Sequence, residues 1–358
     1  MKGINLDIHK GEKILICGPS GCGKSTLFNC LNGLIPASYS GEATGELIIE
    51  GKSFKDLDIF TLSKITGTVL QDSDGQFIGL TVGEDIAFAM ENDNISLSEM
   101  KERVLNAAKK VGIDAFLDHA PHELSGGQKQ RVSLAGVMVD NVEIFLFDEP
   151  LANLDPASGK KTIELIDQIH KDTGATIIIV EHRIEDVLHR SVDRVVLMGE
   201  GSIILDTTPD KLLSSDSLIS NGIREPLYVT ALKYAGVDIT EDMRPGMMDT
   251  LILKDDDKKK IKEWMEGIPD KAQGEERPVL LETKNLSFSY PNGKKALKNI
   301  DFSIRKGEMM SIVGRNGAGK SSFCKVICGF EKESEGAIYI NGEDISSLSI
   351  KERAEKIA

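Results

Sequence analysis

The sequence predicts an α/β fold, in which the short strands of a mostly parallel sheet alternate with helices. The clearest sign is the apolar run at residues 144–147, which leads directly into Asp148 and Glu149. A buried parallel strand has this pattern when it delivers acidic side chains to the carboxyl edge of a sheet. A second sign is Ser125-Gly126-Gly127 at the start of an amphipathic segment. Free amides at a helix N-terminus attract anions, so the sequence places an anion site near two carboxylates.

The composition excludes several classes of protein. The 358 residues allow two domains or one and a fraction, and 40% of them are hydrophobic, which is enough for a packed core. The net charge of −14 argues against a nucleic-acid partner. No apolar run approaches the roughly 20 residues of a membrane-spanning helix, and charged residues near Met1 argue against a signal peptide. We expect a soluble cytosolic protein whose five cysteines are reduced core residues.

A glycine-rich segment follows the strand predicted at residues 12–17 and precedes a helical run from Leu27. It matches the phosphate-binding pattern G-x-x-x-x-G-K-[ST] in the strand–loop–helix context that this pattern requires. Its amides can turn towards phosphate oxygens, Lys24 can reach the same oxygens, and the Ser25 hydroxyl is a ligand for Mg²⁺. The alternative is a chance glycine-rich turn before a lysine, and Asp148 downstream argues against it. The segment consists of Gly18, Pro19, Ser20, Gly21, Cys22, Gly23, Lys24, Ser25 and Thr26.

Strands and helices continue to alternate after this loop. Gln71 ends an apolar strand, where a polar residue is common, and it is a weaker candidate for a metal contact. His182 also follows a strand, at the edge where open α/β sheets bind ligands, so we favour a functional role for it. The other predicted elements are strands at 46–50 and 176–180, helices within 96–118 and around 162–170, and a hairpin of 195–198 with 202–205.

Residues 216–279 differ from the rest in composition. They contain a charged run at 254–260, a lone Trp264, and a proline-containing stretch near 275–278. A run of charges is usually a solvated face. We therefore predict short surface helices followed by a linker.

The chain then repeats itself at a constant offset of 296 residues, from Gly18 to Gly314 and from Lys24 to Lys320. Residues 298–308 restate 2–12, and residues 336–342 echo 45–51. Self-similarity over this length indicates duplication. The sequence predicts one nearly complete domain at 1–215 and the opening third of another at 280–358. The second phosphate loop consists of Gly314, Arg315, Asn316, Gly317, Ala318, Gly319, Lys320, Ser321 and Ser322.

These motifs resemble those of ATP-binding-cassette (ABC) ATPases, which are phosphate-loop α/β cassettes with a mixed sheet and a helical signature subdomain. The resemblance covers residues 2–215 and 280–358, and the Leu124–Arg131 signature is specific to this family. It implies two cassettes fused in tandem, with ATP and Mg²⁺ as cofactors. The first cassette lacks an adenine-stacking aromatic, and the second lacks the signature, the base and the switch histidine, so the chain is either a fragment or the product of a degenerate gene. We favour a fragment, because what remains of both copies is intact in its chemistry.

The resemblance also implies roles for individual residues. Glu149 is the general base for the attacking water, and His182 contacts the γ-phosphate. Gln71 is the Q-loop residue, and Asn153-Leu154-Asp155 is the D-loop. Ser25, Gln71, Asp148 and Ser321 are the metal ligands that it implies. Outside the phosphate loops, the implied nucleotide contacts are Ser125, Gly126, Gly127, Gln128, Asp155 and, stacked on adenine, Tyr290.

Three segments narrow the resemblance to the fused ATPase subunits of energy-coupling-factor (ECF) importers. They are 71–76, Glu181-His182-Arg183 and 222–228. Such importers take up vitamins, their precursors or transition-metal ions, and their selectivity lies in membrane subunits. The implied partners are an integral membrane subunit on the cytosolic face, a substrate-binding membrane subunit and a second, head-to-tail cassette. This places the chain peripherally on the inner face of the cell membrane, and we expect the 73–83 loop, with Phe77 and Ile78, to dock there.

Other classes of cassette protein fit the sequence less well. A soluble tandem cassette of the translation-factor type is the main alternative, but the net charge of −14 and the lack of a basic linker argue against it. A DNA-repair cassette needs a long coiled-coil insertion, for which residues 27–123 are too few. A non-catalytic nucleotide sensor would not need both Glu149 and His182.

Overall fold

The computed structural model describes residues 1–71, 74–140, 142–268 and 277–357. The chain divides into two compact units, Met1–Gly267 and Ile268–Ala358. Asp72, Ser73 and much of the predicted linker, at 269–276, lie outside the described residues.

The strands of the first unit are β1 (Lys13–Cys17), β2 (Ile48–Ile49), β3 (Lys52–Ser53), β4 (Thr66–Val69), β5 (Ile144–Asp148), β6 (Thr176–Val180), β7 (Arg194–Gly199) and β8 (Ser202–Thr207). Its α-helices are α1 (Lys24–Leu31), α2 (Leu34–Ala37), α3 (Ile59–Ile65), α4 (Val82–Asn92), α5 (Leu97–Val111), α6 (Gly126–Met138), α7 (Pro156–Thr173), α8 (Ile184–Val187), α9 (Pro209–Leu213), α10 (Ser217–Ser220), α11 (Leu227–Tyr234) and α12 (Asp255–Gly267). The second unit contains β9 (Val279–Ser289), β10 (Lys295–Arg305), α13 (Lys320–Cys328), β11 (Glu335–Ile340), β12 (Glu343–Asp344) and α14 (Ile350–Ala354).

The main sheet of the first unit has the order β4-β5-β6-β1-β7-β8 and is parallel except for β8. Val180 pairs in register with both Ile16 and Asp148, so the carboxyl ends of β1, β5 and β6 meet at one edge. The predicted α/β fold with a mixed sheet is therefore confirmed. Ligands in open α/β sheets bind at this edge. The phosphate loop follows β1 there, and the two carboxylates lie at the end of β5.

Helices bury both faces of this sheet, which explains the continuous apolar runs in its strands. Alternate residues face opposite sides, so Ile177 packs in one core cluster with Ile166 of α7. Its neighbour Ile178 packs in the other cluster with Phe28 of α1. Truncation of one such side chain costs about 2–5 kcal/mol, so burial of these side chains stabilises the strands that carry the edge loops.

Several predicted elements have different bounds in the structure. The strand predicted at 46–50 is limited to β2, since Ile48 is exposed and, among the residues that the structure describes, β2 pairs with the two residues of β3 alone. The helix predicted around 162–170 begins earlier, at Pro156, because the Asp155 carboxylate caps it. In the 96–118 region, α5 ends at Val111 with Gly112 in a left-handed conformation.

Within the segment 216–279, the prediction of short surface helices is wrong for α10 and α11. Leu218 of α10 and Val229 of α11 are fully buried in the main core cluster. Leu232 and Met243 form a further small cluster. The charged run does form a largely solvated helix, α12, in which no residue is fully buried and Ile261 packs partly buried against this small cluster.

The prediction that the cysteines are core residues holds for part of the set. Cys17 and Cys22 are buried free thiols, and burial raises the pKa of Cys17 to about 12. Cys324 is exposed instead. Among the described residues, no helix combines the length and the apolar character that a membrane crossing requires.

The second unit contains an antiparallel sheet of order β10-β9-β11-β12 with α13 in its core cluster. By the 296-residue offset, residues 309–313 correspond to β1. They form no strand here, and Met309 and Val313 are 98% and 84% exposed, whereas β1 is entirely buried. The segment that forms the centre of the first sheet therefore has an exposed apolar counterpart in the second unit.

Candidate functional site

The first phosphate loop joins β1 to α1 and wraps around one ammonium group. Gly21 and Gly23 have φ angles of +78° and +105°, which side chains other than glycine rarely adopt. Lys24 is only 5% exposed, and its Nζ donates hydrogen bonds to the carbonyl oxygens of Gly18 (2.8 Å) and Pro19 (3.0 Å). The loop therefore holds a buried positive charge at the N-terminus of a helix, which is the chemistry of an anion site.

The second phosphate loop has the same local geometry. Gly317 and Gly319 have φ angles of +78° and +96°. Lys320 Nζ donates to the carbonyl oxygens of Gly314 (2.7 Å) and Arg315 (2.8 Å). The Tyr290 hydroxyl lies 2.9 Å from Ser322 Oγ, so the predicted adenine-stacking ring lies against the first turn of α13.

Three predicted catalytic residues come together at the edge of the first sheet. Glu149 follows β5, and its backbone N–H donates to the Val180 carbonyl oxygen of β6 (2.9 Å). Gln71 Nε2 donates to Glu149 Oε2 (3.0 Å), and His182 Nε2 lies 3.4 Å from the same oxygen. Glu149 has a φ of +48°, a strained backbone conformation of the kind that collects at functional sites.

Asp148 has the properties of a cation ligand. Its Oδ1 is buried and has no hydrogen-bond partner within the described ranges. Burial, followed by repulsion from Glu149, raises the pKa of Asp148 to about 6, which Lys24 only partly offsets. A buried, unpaired carboxylate oxygen fits Mg²⁺, which binds proteins through one or two oxygen ligands and completes its shell with phosphates and water. Ser25, Gln71 and Asp148 would hold the ion.

No cluster of three or more His, Cys, Asp or Glu side chains that could hold a metal alone is present in the part of the chain that the structure describes. A cation here would therefore need hydroxyl, amide or phosphate oxygens as well.

The raised pKa of Asp148 predicts that Asp148→Asn stabilises the empty protein at neutral pH. An ionised carboxylate with a folded pKa of about 6 destabilises the folded state above that pH, and the effect vanishes as pH falls towards 4. After discounting for partial exposure, we expect a gain of about 1–2 kcal/mol at pH 8 and almost none at pH 4. Urea unfolding at both pH values measures it. The exposed Asp118→Asn is the control, and equal stability of Asp148→Asn and the parent protein at pH 8 would contradict the burial argument.

The signature segment begins α6 and exposes its first amides. Leu124 is buried and anchors the turn, while Ser125 and Gly126 are exposed. Gln128 Oε1 accepts from the Ser125 amide (2.8 Å) and hydroxyl (2.9 Å). Two residues further on, Gln130 Nε2 donates to the carbonyl oxygen of Pro150, which links α6 to the loop after β5.

The D-loop residue Asp155 holds the start of α7. Its Oδ1 accepts from the amides of Ala157 and Ser158, both at 3.1 Å, and its Oδ2 accepts from the Ser158 hydroxyl (2.8 Å). Residues 149–155 are thus tied to α6 at one end and to α7 at the other.

The structure corrects which side chains of the expected docking loop are exposed. Phe77 is partly buried and packs against the main core cluster, so it is not a docking side chain. Ile78 and Leu80 are 65% and 82% exposed. The Leu80 and Thr81 amides donate to Glu84 Oε2 (3.0 and 3.1 Å), which fixes this turn against α4.

Two residues beside His182 form contacts that the sequence did not predict. Glu181 is 1% exposed, and Arg183 reaches the loop that follows Glu149. In the sequence, Glu181 and Arg183 contributed only to the family resemblance. The order of residues along the chain does not show which backbone groups these side chains contact.

Comparisons with known proteins agree with this geometry. A family model described as "ABC transporter" matches residues 1–152 and 297–358. A second model, described as "ATP-binding cassette cobalt transporter", matches residues 215–288. A predicted ABC transporter ATP-binding protein of Clostridium perfringens is 55% identical over 357 residues, and one of Enterococcus faecalis is 52% identical over 362 residues. The match covers all of this chain and 63% of each relative.

Solved structures show the same architecture. The cbiO1 protein of Clostridium perfringens, part of the ABC transporter complex cbiONQ, aligns with a TM-score of 0.56 and 34% identity. This alignment covers 65% of this chain and 92% of cbiO1. The ATP-binding cassette MJ0796, a dimer in a post-hydrolysis state with ADP and Pi, aligns with a TM-score of 0.52 and 30% identity over 58% of this chain and 90% of its own. The two phosphate loops, the signature segment and the family match together show that the chain belongs to the ABC transporter family of ATP-binding proteins.

Proposed function

We propose that this chain binds and hydrolyses ATP and thereby powers a membrane importer. The observation that carries the proposal is the convergence of Gln71, Glu149 and His182 at the sheet edge that also carries the Lys24 loop. Lys24 and the loop amides bind the β- and γ-phosphates. Glu149 accepts the proton of the attacking water, and Gln71 and His182 orient Glu149 through the oxygen that they share.

The other named residues complete the proposed site. Mg²⁺, held by Asp148, Ser25 and Gln71, would neutralise charge on the phosphates. The glycine-rich loop would bring the backbone closest to the ATP phosphates, and His182 would also contact the γ-phosphate. The test is phosphate release from ATP by the full chain in the presence of Mg²⁺. Lys24→Ala should abolish this activity, because the buried ammonium is the main positive charge in the loop.

The second unit is, in our proposal, the first part of a second cassette. Its phosphate loop repeats the first loop at an offset of 296 residues and adopts the same glycine conformations. Residues 309–313 are exposed, and four of the five are apolar, which is the composition of a central strand. In such proteins two cassettes face each other head to tail, and each ATP lies between one phosphate loop and the opposite signature.

The membrane partners belong to the proposal as well. The cobalt-transporter model at 215–288 and the likeness to cbiO1 support an ECF-type importer. Its cargo would be a transition-metal ion, a vitamin or a vitamin precursor. The chain would bind an integral membrane subunit on the cytosolic face, next to a substrate-binding membrane subunit.

The exposed Ile78 and Leu80 are the proposed contact with the membrane subunit, since they follow Gln71 and lie on a turn fixed by Glu84. We expect the double variant Ile78→Asp/Leu80→Asp to lose transport while the full chain keeps its basal ATPase rate. A coupled uptake assay with the co-expressed membrane subunits measures this. Leu97→Asp, at a leucine on α5 that is 64% exposed, is the control. If the double variant transports normally, the docking surface lies elsewhere.

A further inference from the structure

The carboxylate of Glu181 is buried at the end of β6 and accepts three backbone hydrogen bonds. Its Oε1 accepts from the amides of His182 (2.9 Å) and Arg183 (3.2 Å). Its Oε2 accepts from the amide of Leu151 (3.2 Å), which lies in the loop after β5. A buried carboxylate is tolerated when several donors satisfy it, and such charge-assisted bonds are stronger than neutral ones.

Arg183 contacts the opposite side of the same loop residue. Its Nη2 donates to the carbonyl oxygen of Leu151, and its Nε lies 3.5 Å from the Asp186 carboxylate, which orients the guanidinium. Both backbone polar groups of Leu151 are thus held by the two residues that flank His182. We call this set of contacts, formed by Glu181, Arg183 and Leu151, the Leu151 clasp.

The clasp acts across the two strands that carry the proposed catalytic groups. Leu151 follows Glu149 by two residues, its side chain is fully buried, and the Ala152 amide donates to the Glu149 carbonyl oxygen (2.9 Å) in the same turn. A displacement of the Glu149 backbone would strain this turn at Leu151. A displacement of Leu151 would in turn strain its hydrogen bonds to Glu181 and Arg183.

We propose that Glu181 and Arg183 are positioning residues that fix the Glu149 carboxylate against His182. This inference rests on the proposed ATPase function and deepens it. In this proposal Glu181 and Arg183 act through the Leu151 backbone and not on the reacting atoms themselves. The 3.4 Å between Glu149 Oε2 and His182 Nε2 is the separation that the clasp maintains.

The test compares clasp variants of the full chain with a matched control. Arg183→Met removes the donor to the Leu151 carbonyl, whereas Arg183→Lys restores a positively charged donor. Arg190→Met is the control, since Arg190 pairs with Glu164 outside the site. Glu181→Gln is the second variant of the test. The glutamine side chain would point an N–H group at the backbone amide of Leu151, or at those of His182 and Arg183, and would therefore lose at least one of these hydrogen bonds.

The expected result is a separation of kcat from KM. Misplacement of a catalytic group by a fraction of an ångström to 1 Å lowers kcat by about tenfold to a hundredfold. We expect the KM and Kd for ATP to change less than about twofold, because the phosphate loop is untouched. Amide hydrogen exchange at Leu151 should accelerate in Arg183→Met and Glu181→Gln, and Arg183→Lys should recover most of kcat.

Two outcomes would overturn the inference. One is wild-type kcat in Arg183→Met together with accelerated exchange at Leu151, since the clasp would then be open without consequence. The other is a parallel loss of kcat, ATP affinity and melting temperature that Arg183→Lys does not restore, which indicates a structural role alone. Failure of the parent chain to hydrolyse ATP at protein concentrations where it is dimeric would instead refute the proposed function, and the positioning role with it.

Discussion

Glu149→Gln should bind ATP as tightly as the parent chain and lose nearly all turnover. A general base contributes about 10²–10⁴-fold to a rate, and an amide of the same shape cannot accept the proton of the attacking water. In the parent chain, Gln71 Nε2 donates to Glu149 Oε2 at 3.0 Å. The side-chain carbonyl of the glutamine introduced at position 149 can accept the same hydrogen bond, so the local fold should survive. Phosphate release and an ATP titration on the same preparation separate the two effects.

A second Glu–His pair in the same unit provides the control for this variant. His189 Nε2 lies 3.1 Å from Glu164 Oε1, on the surface between α7 and the segment after α8. Glu164→Gln makes the same chemical change beside a histidine without touching the sheet edge, and its turnover should match that of the parent. Retention of most of the hydrolysis rate by Glu149→Gln would remove this residue from the role of base.

The central strands were predictable because burial on both faces leaves a continuous apolar run in the sequence. Predicted strands at 12–17, 144–147 and 176–180 correspond to β1, β5 and β6 within a residue. The edge elements were less predictable. Ile48 is apolar but exposed, so the apolar pattern around it predicted a longer strand than the two paired residues of β2.

Contacts between distant segments left little signal in the sequence. Leu218 and Val229 lie in a segment that the sequence predicts as surface helices, and only the structure shows that they are buried in the main core cluster. Phe77 and Ile78 are adjacent, and only the packing shows that the first faces the core and the second faces outwards. The meeting of Gln71, Glu149 and His182 was predictable because parallel strands end at one edge, whereas the clasp depends on backbone groups that no residue type reveals.

The most direct test of the proposed function is the ATPase rate per chain over a dilution series. The 358-residue sequence contains a single signature, Leu124–Arg131, and the proposed head-to-tail arrangement places ATP between a phosphate loop and the signature of the facing cassette. Stabilisation of the transferring phosphoryl group needs all donors in position at once. In a preparation of these 358 residues alone, the Lys24 site, which has Asp148, Glu149 and His182 in its own unit, would take its facing signature from a second chain. Specific activity should rise with protein concentration as first cassettes of separate chains pair, in step with the dimer fraction measured by light scattering. Fast turnover per chain that stays constant down to concentrations where the protein is monomeric would contradict this account.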